Sequence, residues 1–234
     1  NIVLKKEGKA GLNGTLTANT GSHDRYNAGV NLNYGINGVN FFGGYAFRQD
    51  RYDRSIFDNR TSPTEYINQT TLGTGRPVSH TLRLGMGANL STHDVMEISG
   101  SYNRRHFLRS ERIESVTEDI NHHLEDFYFR NRRADARENM WEGNFLYTHT
   151  YGKGNEWSVN YTYSSESGDE QNEYSTMQME NDTKDNEWVW DANYLHIGKV
   201  HWQHHLSERT KFSAGYELEA LRAEQNYHVE NWDG

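Results

Sequence analysis

One short segment concentrates the side chains best suited to holding a ligand. Its aromatic and arginine residues are Phe127, Tyr128, Phe129, Arg130, Arg132 and Arg133. Guanidinium groups pair with carboxylates and phosphates, and they also stack on aromatic rings. We therefore predict that Tyr128, Arg130, Arg132 and Arg133 contact an anionic or ring-bearing ligand. The alternative, that these side chains only hold their own segment against its neighbours, stays open.

The rest of the sequence offers few groups for catalysis or metal binding. It has no cysteine, which excludes disulfides, thiolate metal sites and a cysteine nucleophile. It also lacks a Gly-rich phosphate loop, a G-x-S-x-G elbow and an H-E-x-x-H pair. Histidines gather at 122–126 and at 201–205, but adjacent residues on a strand point to opposite faces. We expect no catalytic residue, no metal, no cofactor and no enzyme activity.

The charge balance limits the partners. The formal net charge is −9, and nucleic acid is therefore not expected as a partner, because phosphate binding needs a basic face. Much of the acidity lies in residues 165–185, where Lys184 is the single basic residue. We interpret that segment as a solvated loop.

The elements that must position these residues follow a period of two. Leu82, Leu84 and Met86, for example, alternate with Arg83 and Gly85. This alternation indicates a strand with two unlike faces, and it recurs to give about nine strands, the eighth broken near residues 197–198. Only 34% of the 234 residues are hydrophobic and the mean hydropathy is −1.00. This composition is too polar for a large conventional core.

The connections between these strands are of two kinds. Short ones are predicted at Asn37-Gly38, whose residues suit a type I′ turn, and at 91–94, 152–155 and 207–209. Longer loops are predicted near 49–79, 106–137 and 165–185, with a tail from about Arg222; the first connection, at 21–24, is a short exception. We predict an all-β, antiparallel up-and-down meander with unlike ends, which is typical of an arc of a transmembrane barrel.

Lipid would explain the polar second face. A sheet in hydrocarbon must pair every backbone group, so it closes into a barrel with one face to lipid and one to a polar interior. Arg48, Arg83 and Arg105 are predicted to face that interior, and they are secondary candidates for ligand contact. The alternative is a soluble antiparallel protein whose sheets bury their Leu, Tyr and Trp faces against each other.

Several motifs carry a resemblance to a known family. They are N-I-V-L-K-K at 1–6, G-L-N-G-T at 11–15, D-R-Y-N-A-G-V-N-L-N-Y at 24–34, F-G-G-Y-A-F-R at 42–48, S-G-S-Y-N-R-R at 99–105, Y-T-H-T-Y-G-K-G at 147–154 and L-S-E-R-T-K-F-S-A-G-Y at 206–216. The first resembles the segment that closes the plug domain of TonB-dependent outer-membrane receptors. The others are similar to the outer membrane protein β-barrel family within that superfamily.

The resemblance implies that residues 1–6 end a plug domain and that residues 7–234 form part of a barrel of roughly 22 strands. It implies residence in the bacterial outer membrane, contact with its lipid, and energy from TonB through a plug. The cargo would be a scarce nutrient: a ferric siderophore, a glycan, a peptide or a cofactor. A surface lipoprotein would be a further partner.

Two further expectations concern the extent of the chain and its role. The sequence begins at Asn1 rather than Met, so we expect a mature or truncated piece. The alternative to transport is a β-sheet module that does not transport and serves adhesion or assembly.

Overall fold

The described residues form ten strands and no helix. The computed structural model describes residues 11–152, 154–178, 182–207 and 209–233, so the predicted plug end at 1–6 lies outside them. The strands are Gly11–Gly21 (β1), Arg25–Ile36 (β2), Val39–Gln49 (β3), Tyr52–Thr61 (β4), Glu65–Asn89 (β5), Asp94–Asp119 (β6), Leu124–Tyr151 (β7), Asn155–Gln178 (β8), Asp182–His205 (β9) and Lys211–Asp233 (β10). Nothing helical in these ranges is long and apolar enough to cross a membrane.

All ten strands belong to one open antiparallel sheet, which confirms the predicted fold class. The order is β1-β2-β3-β5-β6-β7-β8-β9-β10, with β4 paired to β5 beyond the end of β3. β3 and β4 therefore follow one line along β5, interrupted at Asp50 and Arg51. The interruption lies opposite Pro77, which has no N–H to donate to a ladder. The Asp50 N–H still donates to the Pro77 carbonyl, at 2.9 Å.

Tight turns connect successive antiparallel strands at one end of the sheet. Asn37 and Gly38 have φ angles of 47° and 79°, the positive pair that a type I′ hairpin requires, as the sequence predicts. The turns after β2, β5, β7 and β9 lie at one end of the sheet and are all short. At the opposite end the β1–β2 hairpin is short, but the hairpins from β4 onward reach much farther, so the two ends are unlike.

The predicted long loops are wrong as irregular segments, because most of their residues are paired strand. Residues 52–61 and 65–79 pair as β4 and β5, and 106–119 and 124–137 continue β6 and β7. Residues 165–178 and 182–185 continue β8 and β9, β9 runs unbroken through 197–198, and the predicted tail after Arg222 is the end of β10. In these segments β5 to β9 each pair with a strand on both sides, whereas β4 pairs only with β5 and β10 only with β9. This pairing does not need an apolar face.

The sheet has two faces of different chemistry, here named after adjacent residues. The Leu84 face carries Leu84 and the residues in line with it; the Arg83 face is the opposite one. One row of the Leu84 face runs through Phe41, Met86, Ile98, Phe145 and Tyr161. The neighbouring row on the Arg83 face runs through Phe42, Gly85, Ser99, Asn144 and Thr162.

The Leu84 face is apolar only over part of the strand length. On β7 the apolar rows run from Trp141 to Tyr147. The next row toward the turn pairs His149 with Asp94, and the rows beyond Asn139 carry charged residues. About 9–11 residues of a strand tilted near 45° cross the hydrocarbon of a bilayer. We call these rows the apolar band, and the charged part of the sheet beyond row Val78–His106–Arg137 the extension.

The described residues do not build a conventional core. The buried apolar residues are alanines (Ala88, Ala134, Ala136 and Ala192), and no large side chain is fully buried in these ranges. Leu84 is 59% exposed. Within the described ranges there is a single sheet, so the apolar faces are not packed on each other as the soluble alternative requires.

The β6–β7 turn depends on Asp119. Its carboxylate accepts hydrogen bonds from the backbone N–H groups of Asn121, at 2.7 Å, and His123, at 2.8 Å. These bonds, that from the His123 backbone first, lower the pKa of Asp119 to about 2. The turn also places His122 at a φ of 62°.

We expect Asp119→Ala to loosen this turn. The pKa of Asp119 is lower in the folded chain than the ordinary value of about 3.9, so its stabilisation is present above pH ~4 and is lost as the pH falls toward about 2. Amide exchange of Asn121 and His123 should speed several-fold in the variant at neutral pH. Glu125→Ala, across the same turn, is the matched control. Equal exchange in both variants would contradict the role of Asp119.

Candidate functional site

Arg132 lies at the centre of an ion-pair network on the Arg83 face of the extension. Its Nη1 lies 3.3 Å from Glu111 Oε2 and its Nη2 lies 2.8 Å from Glu170 Oε1. Its Nε donates to Asn172 Oδ1 at 2.9 Å. Glu111 is 7% exposed. A carboxylate removed from water to this degree needs cationic partners to stay ionised.

Two further arginines join the same carboxylates. Arg109 Nη2 lies 3.0 Å from Glu170 Oε1, and Arg54 forms a charged hydrogen bond with Glu111. The network therefore combines three guanidinium groups, those of Arg54, Arg109 and Arg132, with two carboxylates. Arg109 Nε is buried and has no hydrogen-bond partner. The excess positive charge and this unused donor suit an anionic acceptor.

Local sequence explains why these side chains converge. Arg109 and Glu111 are two apart on β6, so they share a face. Ala134 and Ala136 on β7 lie directly opposite Arg109 and Phe107, and both alanines are buried. Their small side chains leave room for the longer ones that cross them.

Aromatic rings flank the network on both sides. The Arg130 guanidinium lies 4.3 Å from the Tyr174 ring centroid, and that of Arg132 lies 5.7 Å from it. The Tyr174 hydroxyl donates to Glu187 Oε2 at 3.0 Å. Burial, aided by that hydrogen bond, raises the pKa of Tyr174 although the nearby Arg132 opposes the shift. Tyr174 therefore stays a neutral hydrogen-bond donor.

The second aromatic contact lies nearer the apolar band. The Arg105 and Arg109 guanidinium groups lie 5.2 and 5.4 Å from the ring centroid of Phe107. Arg105 Nη1 also lies 3.2 Å from Glu138 Oε2. Arginine and aromatic groups thus alternate along one face from Arg105 to Glu111.

The structure separates the predicted ligand residues into two groups. Tyr128, Arg130 and Arg132 lie on the Arg83 face of the extension, whereas Arg133 pairs with Ser110 on the Leu84 face. Arg133 therefore does not join the network, because consecutive strand residues point to opposite faces. Tyr128 lies farther out, opposite Ser115 and Gln178.

The three secondary candidates share the Arg83 face but lie nearer the short turns than the network does. Arg48 and Arg105 share one row, on either side of Ser79, and Arg83 lies in a lower row within the apolar band. Arg48 Nε lies 2.6 Å from Asp50 Oδ2. These residues line the same face as the network without belonging to it.

Sequence reasoning missed Arg54, Arg109, Glu111, Glu170 and Tyr174. The first three fall in segments interpreted as loops, and the last two fall in the segment interpreted as a solvated acidic loop. The signal that could have found them is the alternation of Arg105, Phe107, Arg109 and Glu111 at every second position. It was hidden because the intervening residues, His106, Leu108 and Ser110, do not form a second face of uniform chemistry.

The histidine clusters do not assemble a site in the part of the chain described. No three histidine or carboxylate side chains there are close enough to ligate one metal ion. His122 and His123 instead lie 3.0 and 3.1 Å from the carboxylates of Glu118 and Asp119.

Comparison with known proteins gives distant structural likeness only. No family model matches the sequence and no curated protein matches it. Among solved structures, the chain is similar to the ferric yersiniabactin uptake receptor FyuA from Yersinia pestis, with 11% identity and a TM-score of 0.37 over 98% of this chain and 43% of that one. It is also similar to the ferric citrate transporter FecA (14% identity, TM-score 0.26, 94% of this chain and 42% of that one).

A third similar structure is that of the RagAB peptide transporter, with 7% identity and a TM-score of 0.27 over 88% of this chain and 34% of that one. The chain spans less than half the length of each of these three proteins. Likeness at this level does not assign a function.

Proposed function

We propose that this chain is part of an outer-membrane β-barrel that imports a scarce small nutrient, and that it is not an enzyme. The observation that carries the proposal is the apolar band, an exposed apolar surface on one face of the sheet. With the bounding His149 row it covers 141–149 on β7, close to the ~9–11 residues with which a tilted strand crosses a bilayer core. A contiguous apolar surface of this size is unfavourable in water. The Arg83 face behind it is polar, as the interior of such a barrel is.

The polar face over the band is organised by its own hydrogen bonds. Asn103 Nδ2 donates to Thr81 Oγ1 at 2.6 Å, and Thr162 Oγ1 donates to Asn144 Oδ1 at 2.7 Å. Such an interior can stay wet while the opposite face meets lipid. In the proposal, β1 and β10 pair with further strands that close the barrel, because an open edge in hydrocarbon is costly.

The arginine network supports the choice of cargo. In the proposal the extension projects from the outer surface, and its Arg83 face forms the recognition surface. Three guanidinium groups and the Tyr174 and Phe107 rings suit a cargo with carboxylate or ring groups. A ferric siderophore, a peptide or a cofactor fits this chemistry better than a neutral glycan. The energy source would be TonB, acting through a plug domain.

The second candidate is a non-transporting outer-membrane module for adhesion or assembly. One observation favours it: Arg132 already has three partners within the chain, namely Glu111, Glu170 and Asn172. With its Arg132 donors already paired, the network needs no ligand. Its role in this second candidate is to hold the extended hairpins together. The two candidates differ in whether any small molecule is taken up.

The test is an uptake assay in cells that make the full protein. Radiolabelled ferric siderophores, short peptides and a corrinoid cofactor are the probes, with TonB present or deleted. We expect TonB-dependent uptake of one probe class, reduced at least about tenfold by Arg109→Met, which removes about 1.5–3 kcal/mol of charged hydrogen bonding. Arg133→Met, on the opposite face, is the control. Absence of uptake for every class, with the protein in the outer membrane, would favour the adhesion or assembly module.

A further inference from the structure

A basic groove lies on the Leu84 face, opposite the side that carries the arginine network. It encloses about 540 Å³ and is lined by Val78, His80, Arg104, His106 and Arg137. None of these five lining residues is acidic, although Asp135, one row farther out on the same face, contacts two of them. The groove is therefore separate from the proposed recognition surface and has a chemistry of its own.

Strand register fixes the groove at the edge of the apolar band. Leu82, Tyr102 and Trp141 share the outermost aromatic row of the band. The next row on the same face contains His80 and Arg104, paired directly across β5 and β6. Basic side chains therefore begin one row beyond the rings that mark the limit of the band.

The row after that completes the groove. Val78, His106 and Arg137 lie side by side across β5, β6 and β7. Side chains directly opposite each other on neighbouring strands have Cβ atoms about 4.5–5.5 Å apart. Arg104 and Arg137 lie diagonally across β6 and β7, at the spacing of about 7–8 Å that long side chains can bridge. Their two guanidinium groups can therefore reach one small anion together.

The neighbouring groups leave part of this charge unneutralised. Asp135 Oδ1 lies 2.9 Å from His106 Nε2 and 3.4 Å from Arg137 Nε. Asp169 pairs with Arg137 in register but forms no ion pair with it. Arg104 has no ion-pair partner among the described residues, and the Arg137 side chain is 58% exposed.

We propose that this groove binds the phosphate of a lipid headgroup whose acyl chains lie along the adjoining apolar band. Arg104 and Arg137 would donate to the phosphate oxygens, since guanidinium forks match phosphate geometry. A free phosphate ion shares the headgroup chemistry but has no acyl chains to place on Leu82 and Tyr102. The inference rests on the membrane location in the proposed function, and it does not depend on transport.

The test uses the full protein in nanodiscs of phosphatidylcholine with a minor share of phosphatidic acid. Native mass spectrometry then counts the phosphatidic acid retained when the lipid shell is removed. We expect the Arg104→Gln, Arg137→Gln double variant to retain at least about tenfold less of this lipid, from the loss of two charged hydrogen bonds. Arg104→Lys should retain an intermediate amount, because it keeps the charge without the fork.

Two controls separate the possible results. Arg83→Gln, on the opposite face, should leave retention unchanged; an equal loss there, or no loss in the double variant, would overturn the inference. Displacement of the lipid by millimolar inorganic phosphate would identify a free-anion site and overturn the lipid assignment. A protein that does not enter nanodiscs at all would overturn both this inference and the proposed function, whereas entry without preference for phosphatidic acid would overturn this inference alone.

Discussion

Replacing Leu84 with arginine is expected to lower the stability of the membrane-inserted protein by about 1–3 kcal/mol, because a cationic side chain costs about 2–4 kcal/mol at the middle of a bilayer and about 0–1 kcal/mol near its interfaces. Leu84 lies one row inside the outermost row of the apolar band and is 59% exposed, so an arginine at this position cannot place its charge in the polar interior. Urea-induced unfolding of the full protein in lipid vesicles measures this change. The fraction that reaches the outer membrane in cells should fall with it.

The preceding residue on β5, Arg83, provides the matched control. Arg83 already places a guanidinium group on the opposite face, so Arg83→Leu should change the free energy of unfolding by less than about 1 kcal/mol. The two variants exchange the same pair of side chains in opposite directions. Equal destabilisation, or a harmless Leu84→Arg, would mean that the Leu84 face does not meet lipid.

The second large effect is expected for Arg132→Met. The substitution removes a cationic partner from both Glu111 and Glu170 and a donor from Asn172. Because Glu111 is nearly buried but keeps Arg54, we expect a loss of about 1–3 kcal/mol, confined to the extension. Amide exchange of β6, β7 and β8 beyond the apolar band should report it, while exchange within the band stays unchanged.

Arg133→Met tests whether this effect belongs to the network. It removes a guanidinium from the neighbouring position on β7, where the side chain lies on the Leu84 face. We expect little change in exchange and none in ligand uptake. Should Arg133→Met match Arg132→Met in both assays, the network would not be the site. A loss of uptake without loss of protection in Arg132→Met would favour direct ligand contact over a structural role.

The sequence predicts the part of the sheet in which the two faces differ. Within the apolar band, Leu84 and Met86 alternate with Arg83 and Gly85, and the difference in polarity between the two faces makes that period visible. Asn37-Gly38 predicts its turn because few residues tolerate positive φ at both positions. Both predictions are confirmed by the strand register and the backbone angles.

The extension could not be predicted in the same way, because both of its faces are polar. In β6 the run from Arg109 to Glu114 alternates between two charged faces, so no apolar period appears. There β5 to β9 are held by backbone pairing on both sides and by ion pairs between strands, which depend on residues far apart in sequence. Glu170 illustrates the point: it pairs with Arg109 and Arg132, and nothing in the acidic segment around it indicates this.

For the same reason, only part of the candidate site could be predicted from the sequence. Arg130 and Arg132 were identified from composition alone, which does not assign faces. Arg133 was grouped with them because the segment was interpreted as a loop. Because β7 is a strand, successive side chains point to opposite faces, and Arg133 lies on the face opposite that of Arg132.

The most direct test of the account is a single-cysteine scan along β6 in lipid vesicles. The chain has no cysteine, so each introduced thiol carries the only fluorescent probe, and quenchers on the lipid chains report contact with hydrocarbon. We predict quenching at Met96 and Ile98, none at Glu97 and Ser99, and none at Arg112 in the extension. Equal quenching at neighbouring positions, or no quenching at any position, would contradict a barrel wall with one face in the membrane.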